Sequence, residues 1–170
     1  AKIRVAILQY SSRPLMDENV QGMIDGLAAE GFVDGERIAL TRFNAENDLP
    51  TANTIAREIV GGGYRLVLTS STPCLQTMAN ANKAGKLLHV FGAVTDPYGA
   101  GVGITGEGPD EHPPHLVGVG TFQPVAPAFQ IARQLLPALS KVGTVWNPAE
   151  ACSEACLVKA RRICGELGIE

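Results

Sequence analysis

An alternation constrains this chain more than anything else in it. Short apolar runs and amphipathic stretches follow one another four times between Ile3 and Pro97, joined by brief polar connections. Ile3–Leu8 predicts a first strand, which ends in the polar loop Gln9-Tyr10-Ser11-Ser12-Arg13-Pro14. Asp17 is placed as the cap of a helix whose Val20, Met23, Ile24, Leu27 and Ala28 share one face, and Gly31 ends it. Arg37–Phe43 alternates as a second strand, and Ala52, Ile55, Ala56, Ile59 and Val60 mark a second helix stopped by Gly61-Gly62-Gly63. Leu66-Val67-Leu68 predicts a buried strand that runs into the hydroxyl cluster Thr69 to Thr72. Thr72 is placed as the N-cap and Pro73 as the first residue of a helix reaching about Ala84. Leu87–Val94 is a fourth strand, ending in Thr95-Asp96-Pro97. Such a series requires an α/β fold with a parallel sheet and helices on both faces.

The segment Gly99–Pro114 breaks the series, because it is rich in Gly and Pro and has neither period. It divides the chain into a first lobe over 1–100, a hinge or linker over 101–116, and a partial second lobe over 117–170. The second lobe is expected to hold a strand at Leu116–Gly120, a helix at Val125–Leu136, a strand at Val142–Trp146 and a helix at Glu150–Leu167. Gly168-Ile169-Glu170 reads as the start of a further strand. Two strands and two helices make a poor core, so this lobe reads as cut short. The edge of an unfinished sheet is also a place where a second copy can pair to form a dimer.

Composition removes several classes of function. With 45% hydrophobic residues the chain can bury a core, and a net charge of −3 gives no nucleic-acid footprint. No apolar run approaches the ~18 residues that cross a bilayer. Ala1-Lys2 lead straight into the first strand with no targeting segment in view, which leaves the compartment undecided. The four cysteines, Cys74, Cys152, Cys156 and Cys164, are too sparse for a disulfide framework. Cys152 and Cys156 share a helix face, but no His joins them at metal-ligand spacing. Asp110-Glu111-His112-Pro113-Pro114-His115 carries ligand types without a ligand spacing, so it reads as a solvated loop and no metal is assigned.

In open parallel sheets, ligands sit at the carboxyl ends of the strands. Those ends carry Gln9-Tyr10-Ser11, Ser70-Ser71-Thr72, Thr95-Asp96-Pro97, Gly120-Thr121-Phe122 and Asn147-Pro148. Each follows an apolar run and each is small, polar or aromatic, which suits a cleft that donates hydrogen bonds and offers an aromatic wall. Ser70, Ser71 and Thr72 would also serve as plain helix caps. Gly101-Val102-Gly103-Ile104-Thr105-Gly106 spells a dinucleotide glycine pattern but lies in the wrong context, away from the first strand–helix turn. No cofactor is therefore expected. Cys74, in the first turn of the helix after the hydroxyl cluster, could form a Cys-dependent racemase or hydrolase, with Cys152 as partner across a cleft.

A set of short strings then carries a resemblance. It comprises Ile7-Leu8-Gln9, Gly26-Leu27 with Gly31-Phe32-Val33-Asp34-Gly35, Thr72-Pro73, Ala93-Val94-Thr95-Asp96-Pro97, Gly118-Val119 and Asn147-Pro148-Ala149-Glu150. Over nearly its whole length the chain resembles the substrate-binding proteins of bacterial ABC transporters, in the subgroup linked with tryptophan and related aromatic amino acids. The resemblance implies a two-lobed fold like that of type I periplasmic binding proteins, closing by a hinge on a small molecule, without enzyme activity. It implies a membrane permease as partner and a place at the periplasmic or extracellular face of the membrane. By motif match, Gln9, Ser71, Thr72, Thr95 and Asp96 would contact ligand from the first lobe, and Asn147 and Ser153 from the second. The strand ends add Tyr10 and Thr121. Three stretches depart from the family: Tyr10-Ser11-Ser12-Arg13 stands where a His is frequent, Gly120-Thr121 where Ser-Asp is usual, and the segment Gly106–His115 is unusual. A ligand-sensing domain of a regulator with the same architecture is the alternative.

Overall fold

A computed structural model of the chain describes residues 1–106, 108 and 110–170. It contains two compact units, Ala1–Thr121 and Phe122–Glu170.

The first unit holds five parallel strands, β1 (Ile3–Gln9), β2 (Ile38–Asn44), β3 (Leu66–Ser70), β4 (Leu88–Val94) and β5 (Leu116–Gly120), in the spatial order β2-β1-β3-β4-β5. Helices α1 (Pro14–Ala29), α2 (Leu49–Gly61) and α3 (Thr72–Ala81) make the crossovers. β1 shows why both faces are covered. Val5, Ala6, Ile7 and Leu8 are buried in succession, as a central strand of a two-sided sheet must be. Val5 and Ile7 pack with Val20 of α1, whereas Ala6 and Leu8 pack with Ala56 and Ile59 of α2 and Cys74 and Met78 of α3.

The expected α/β architecture is present, with three local differences. α1 begins at Pro14, three residues earlier than the Asp17 cap, because proline's fixed φ suits a first helical position. Ser71, not Thr72, is the N-cap of α3, since its side chain accepts the Cys74 N–H. Leu116–Gly120 does not open the second lobe: it pairs with β4 as an edge strand of the first sheet.

The expected 101–116 linker likewise belongs to the first unit, although Glu107 and Pro109 lie outside the described residues. Ala100 and Ile104 are buried with Leu75, Phe91, Val94 and Leu116, so the apolar residues scattered through this Gly/Pro-rich run tie it to the sheet. Gly118 lets β5 come close, since a Cβ there would lie 2.2 Å from the Phe91 carbonyl oxygen.

The second unit contains α4 (Val125–Leu135) and α5 (Ala151–Leu167). Val142–Trp146, expected as a strand, has no strand partner among the described residues. A single rung forms beside it: the Val142 N–H donates to the Glu170 carbonyl (2.8 Å) and the Glu170 N–H to the Ser140 carbonyl (2.8 Å). These two bonds have the pattern of one parallel rung, but no strand forms at 168–170 or 142–146 among the described residues. Among the described residues, no helix is long and apolar enough to cross a membrane.

Candidate functional site

The order β2-β1-β3-β4-β5 reverses direction between β1 and β3. At such a switch point the connections leave on opposite faces and open a crevice beyond the carboxyl ends of the two strands. Gln9 and Ser70 are register partners there, and Ser70 is in turn the partner of Gly92 on β4. The chain places Gln9-Tyr10 after β1, Ser71-Thr72 after β3, Thr95-Asp96 after β4 and Thr121 after β5. All seven first-unit candidates therefore lie on one edge of one sheet.

The backbone along this edge is strained. Among the described residues, the non-glycine residues with positive φ are Glu46 (51°) and Asn47 (62°) after β2, Ser71 (109°) after β3, and Ala93 (53°) near the end of β4. Each such residue costs about 1–3 kcal/mol, and such residues gather where a binding surface needs a shape that regular backbone does not give. Ser71 holds its conformation through three bonds. Its N–H donates to the Gly92 carbonyl (3.1 Å), its carbonyl accepts from the Leu75 N–H (3.0 Å), and its Oγ accepts from the Cys74 N–H (3.3 Å). The register slips between Phe91 and Val94, which frees the β4 tip to turn into Thr95-Asp96.

Several side chains expected to face ligand also tie the loops together. Gln9 Nε2 donates to the Ser11 carbonyl (2.8 Å) and to Asp17 Oδ1 (2.5 Å), pinning the loop after β1 to the first turn of α1. Asp96 Oδ1 accepts from the N–H groups of Tyr98 and Gly99, both at 3.1 Å, and so organises the turn after β4. Ser71, Thr72 and Thr95 are buried, Gln9, Tyr10 and Asp96 are half-buried, and Thr121 is exposed. In the second unit, Asn147 and Ser153 are in contact, since Ser153 Oγ accepts the Asn147 N–H (2.9 Å). The Asn147 amide donates to Glu150 Oε1 (3.0 Å) and accepts from the Ala149 N–H (3.1 Å), so it shapes the approach to α5.

Reading the sequence missed four residues on the first-unit edge. Asn44 Nδ2 donates to Ser12 Oγ (3.1 Å), the Asn47 N–H donates to the Tyr10 carbonyl (2.7 Å), and Ser70 Oγ donates to Met16 Sδ (3.3 Å). Asn19 Oδ1 on α1 is buried with no partner among the described residues, and a Cβ on Gly92 would come within 2.7 Å of the same amide. Asn44 and Asn47, polar residues after an apolar run, carried a usable signal. Met16 and Asn19 did not, since nothing local marks a helix residue that turns toward a strand end.

Neither thiol of the cysteine alternative is activated by its surroundings. Cys74 is in the apolar core, and burial pushes its thiol up to about 12 despite the hydrogen bond from Ser71. A thiol so placed keeps its proton at neutral pH, whereas the thiolate is the reactive form. Burial also raises Cys152, with the Glu150 carboxylate adding to it. The dinucleotide-like glycines sit in the loop between β4 and β5 with no helix after them, which is not the turn that holds a pyrophosphate. Among the described residues no group of three or more His, Cys, Asp or Glu side chains is placed to hold a metal.

The family model for ABC transporter substrate-binding proteins matches residues 4–168. A protein named as a tyrosine-binding protein, from Clostridioides difficile strain R20291, is 30% identical over 150 residues, covering 88% of this chain and 42% of the relative. A conserved domain protein from Vibrio cholerae superposes with a TM-score of 0.92 at 28% identity, over 100% of this chain and 56% of that one. An ABC domain from Streptococcus pneumoniae, solved with L-Trp, gives a TM-score of 0.86 at 25% identity, over 99% of this chain and 55% of that one. The chain thus spans about half the length of the relatives it matches, and its fold is that of the type I periplasmic binding proteins. This chain belongs to the ABC transporter substrate-binding protein family.

Proposed function

We propose that the protein is the solute-binding component of an ABC import system and binds an amino acid, with aromatic side chains preferred, without transforming it. The observation that carries this reading is the coincidence of the strand-order reversal with the strained residues Ser71, Ala93, Glu46 and Asn47 on the same sheet edge. The relatives support the ligand class: one is named for tyrosine and another was solved with L-Trp.

In this reading the ligand carboxylate rests at the N-terminus of α3, beside Ser71 and Thr72, where the helix dipole favours negative charge. Asp96 faces the ammonium, with Oδ1 already fixed by two backbone N–H groups and the carboxylate therefore pre-oriented. Tyr10 packs on the ligand side chain, and Gln9, Thr95 and Thr121 complete the first-unit wall. In the second unit, Asn147 and Ser153 are the candidates that the family motif marks. Catalysis is not needed for capture and release, and the one thiol near the edge is held protonated. The partner is a membrane permease, and the protein works at the periplasmic or extracellular face.

A thermal-shift screen of the twenty amino acids tests the reading. Tyrosine, tryptophan or phenylalanine should raise the melting temperature in a concentration-dependent way. No shift with any amino acid would overturn it.

A further inference from the structure

The opposite edge of the first sheet, at the amino ends of the strands, is built differently. A groove of about 930 Å³ opens there, lined by the starts of β1, β3 and β4 and by the turns that precede β3 and β4. Lys2, Arg4, Arg65 and Lys86 line it, and no Asp or Glu does. In a chain with 14 basic and 17 acidic residues, that segregation runs against the net charge of −3. None of the four cations is in an ion pair among the described residues, where the ion pairs are Lys141–Glu170 and Arg162–Glu166.

Arg4 and Arg65 are neighbours across adjacent strands, since the Arg65 N–H donates to the Arg4 carbonyl (3.0 Å). Like charges beside each other on a sheet repel and cost stability, so their retention needs a compensating gain. Stacking holds Arg4 in place without neutralising it. Its guanidinium lies 4.3 Å from the Tyr64 ring centroid and donates to the Gly62 carbonyl. The carboxyl-terminal turns of α1, α2 and α3 also end near this groove, through Leu27, Gly63 and Gly85. Each helix end carries about half a negative charge, which leaves roughly two and a half positive charges uncompensated.

Two aliphatic side chains stand among these cations. Ile3 is 44% exposed and Leu88 is 60% exposed, and both line the groove. Lysine and arginine mixed with exposed aliphatics match the boundary between phospholipid headgroups and acyl chains. A small anion would satisfy the cations and leave Ile3 and Leu88 in water.

We propose that this amino-end edge of the first sheet docks on an anionic phospholipid surface. Strands of five to seven residues separate it from the candidate ligand edge, a distance of roughly 20 Å. A molecule lying on lipid in this way keeps its ligand edge directed away from the bilayer.

Vesicle co-sedimentation of the protein tests the proposal. Phosphatidylcholine vesicles containing about 30% phosphatidylglycerol should bind it at about 0.05 M salt and release it at about 0.5 M, while pure phosphatidylcholine should not bind it. The exposed triple variant Lys2→Glu, Arg65→Glu, Lys86→Glu should lower the partition coefficient at least ~10-fold, because each basic residue contributes separately. Leu88→Ser should lower it about 2- to 5-fold through the lost aliphatic contact. Both variants should keep the wild-type thermal response to amino acids, which separates this result from the ligand assignment. Equal binding to both vesicle types, or full binding by the triple variant, would overturn the proposal. Retention on a poly-glutamate matrix without vesicle binding would assign the groove to an acidic polypeptide and overturn it as well.

Discussion

The two units of this chain differ in how far their amphipathic surfaces are used. In the first, every strand contributes at least one buried residue and every helix covers a sheet face. In the second, α4 has no buried residue, and Leu135 is 75% exposed. Val145 is 99% exposed in a segment whose sequence is that of a strand. Local pattern is sufficient in the first unit because every strand finds at least one strand to pair with, and β1, β3 and β4 find two. In the second unit the same kind of pattern produces helices but not a sheet, since a strand exists only when another strand accepts its hydrogen bonds.

The largest expected effect tests that contrast in the core of the first unit. Leu75→Ala removes a fully buried side chain packed between Phe91, Val94 and Ile104, and should cost ~2–5 kcal/mol in urea unfolding. A cost below ~1 kcal/mol would mean that this cluster relaxes around the cavity and is not the tightly packed part.

Next comes acid stability, which also resides in the first unit. His89 is buried on β4, with Nε2 2.9 Å from Thr69 Oγ1 and Nδ1 without a partner among the described residues. Burial, with His115 adding repulsion, lowers its pKa to about 3. The folded state therefore holds this ring neutral, while the unfolded chain takes up a proton below about 6.5. The stability from neutral His89 is full above that value and is lost as pH falls from about 6.5 toward 3, with a slope approaching ~1.4 kcal/mol per pH unit. His89→Gln should flatten that limb in unfolding experiments run at a series of pH values. An unchanged limb would place the acid sensitivity elsewhere.

These elements also show what the sequence made legible. The strand and helix succession through Val94 was readable because β1, β3 and β4 are largely apolar runs, β2 alternates, and each helix keeps its spacing. The membership of Leu116–Gly120 was not, because strand assignment follows pattern while strand pairing follows space. A Gly/Pro-rich run reads as a linker, yet Ile104 and Leu116 find a place beside Phe91. At the candidate site, the polar tips after β1, β3 and β4 were readable from the end of each apolar run. The strain at Ser71 and Ala93 was not, since neither residue type announces a positive φ.

A smaller effect separates the two roles of Ser71. Ser71→Ala loses the cap on α3 and should cost ~1 kcal/mol of stability. Ser71→Gly should cost less, because glycine adopts a φ of 109° without strain. If the hydroxyl contacts ligand, both variants should weaken binding by a similar factor although their stabilities differ. Binding that tracked stability instead would make Ser71 a cap alone. The smallest effect belongs to the second unit: Leu135→Ala, on the open face of α4, should change stability by less than ~0.5 kcal/mol. A cost near that of Leu75→Ala would show that this face is covered in solution.

The central claim is that the carboxyl edge of the first sheet holds an amino acid. Isothermal titration of the purified protein with tyrosine and with tryptophan tests it most directly. The account predicts saturable binding of one ligand per protein for at least one of the two, weakened at least ~10-fold by Asp96→Asn through loss of the charge pair with the ammonium. Absence of binding heat with either amino acid, or binding that Asp96→Asn leaves unchanged, would contradict it.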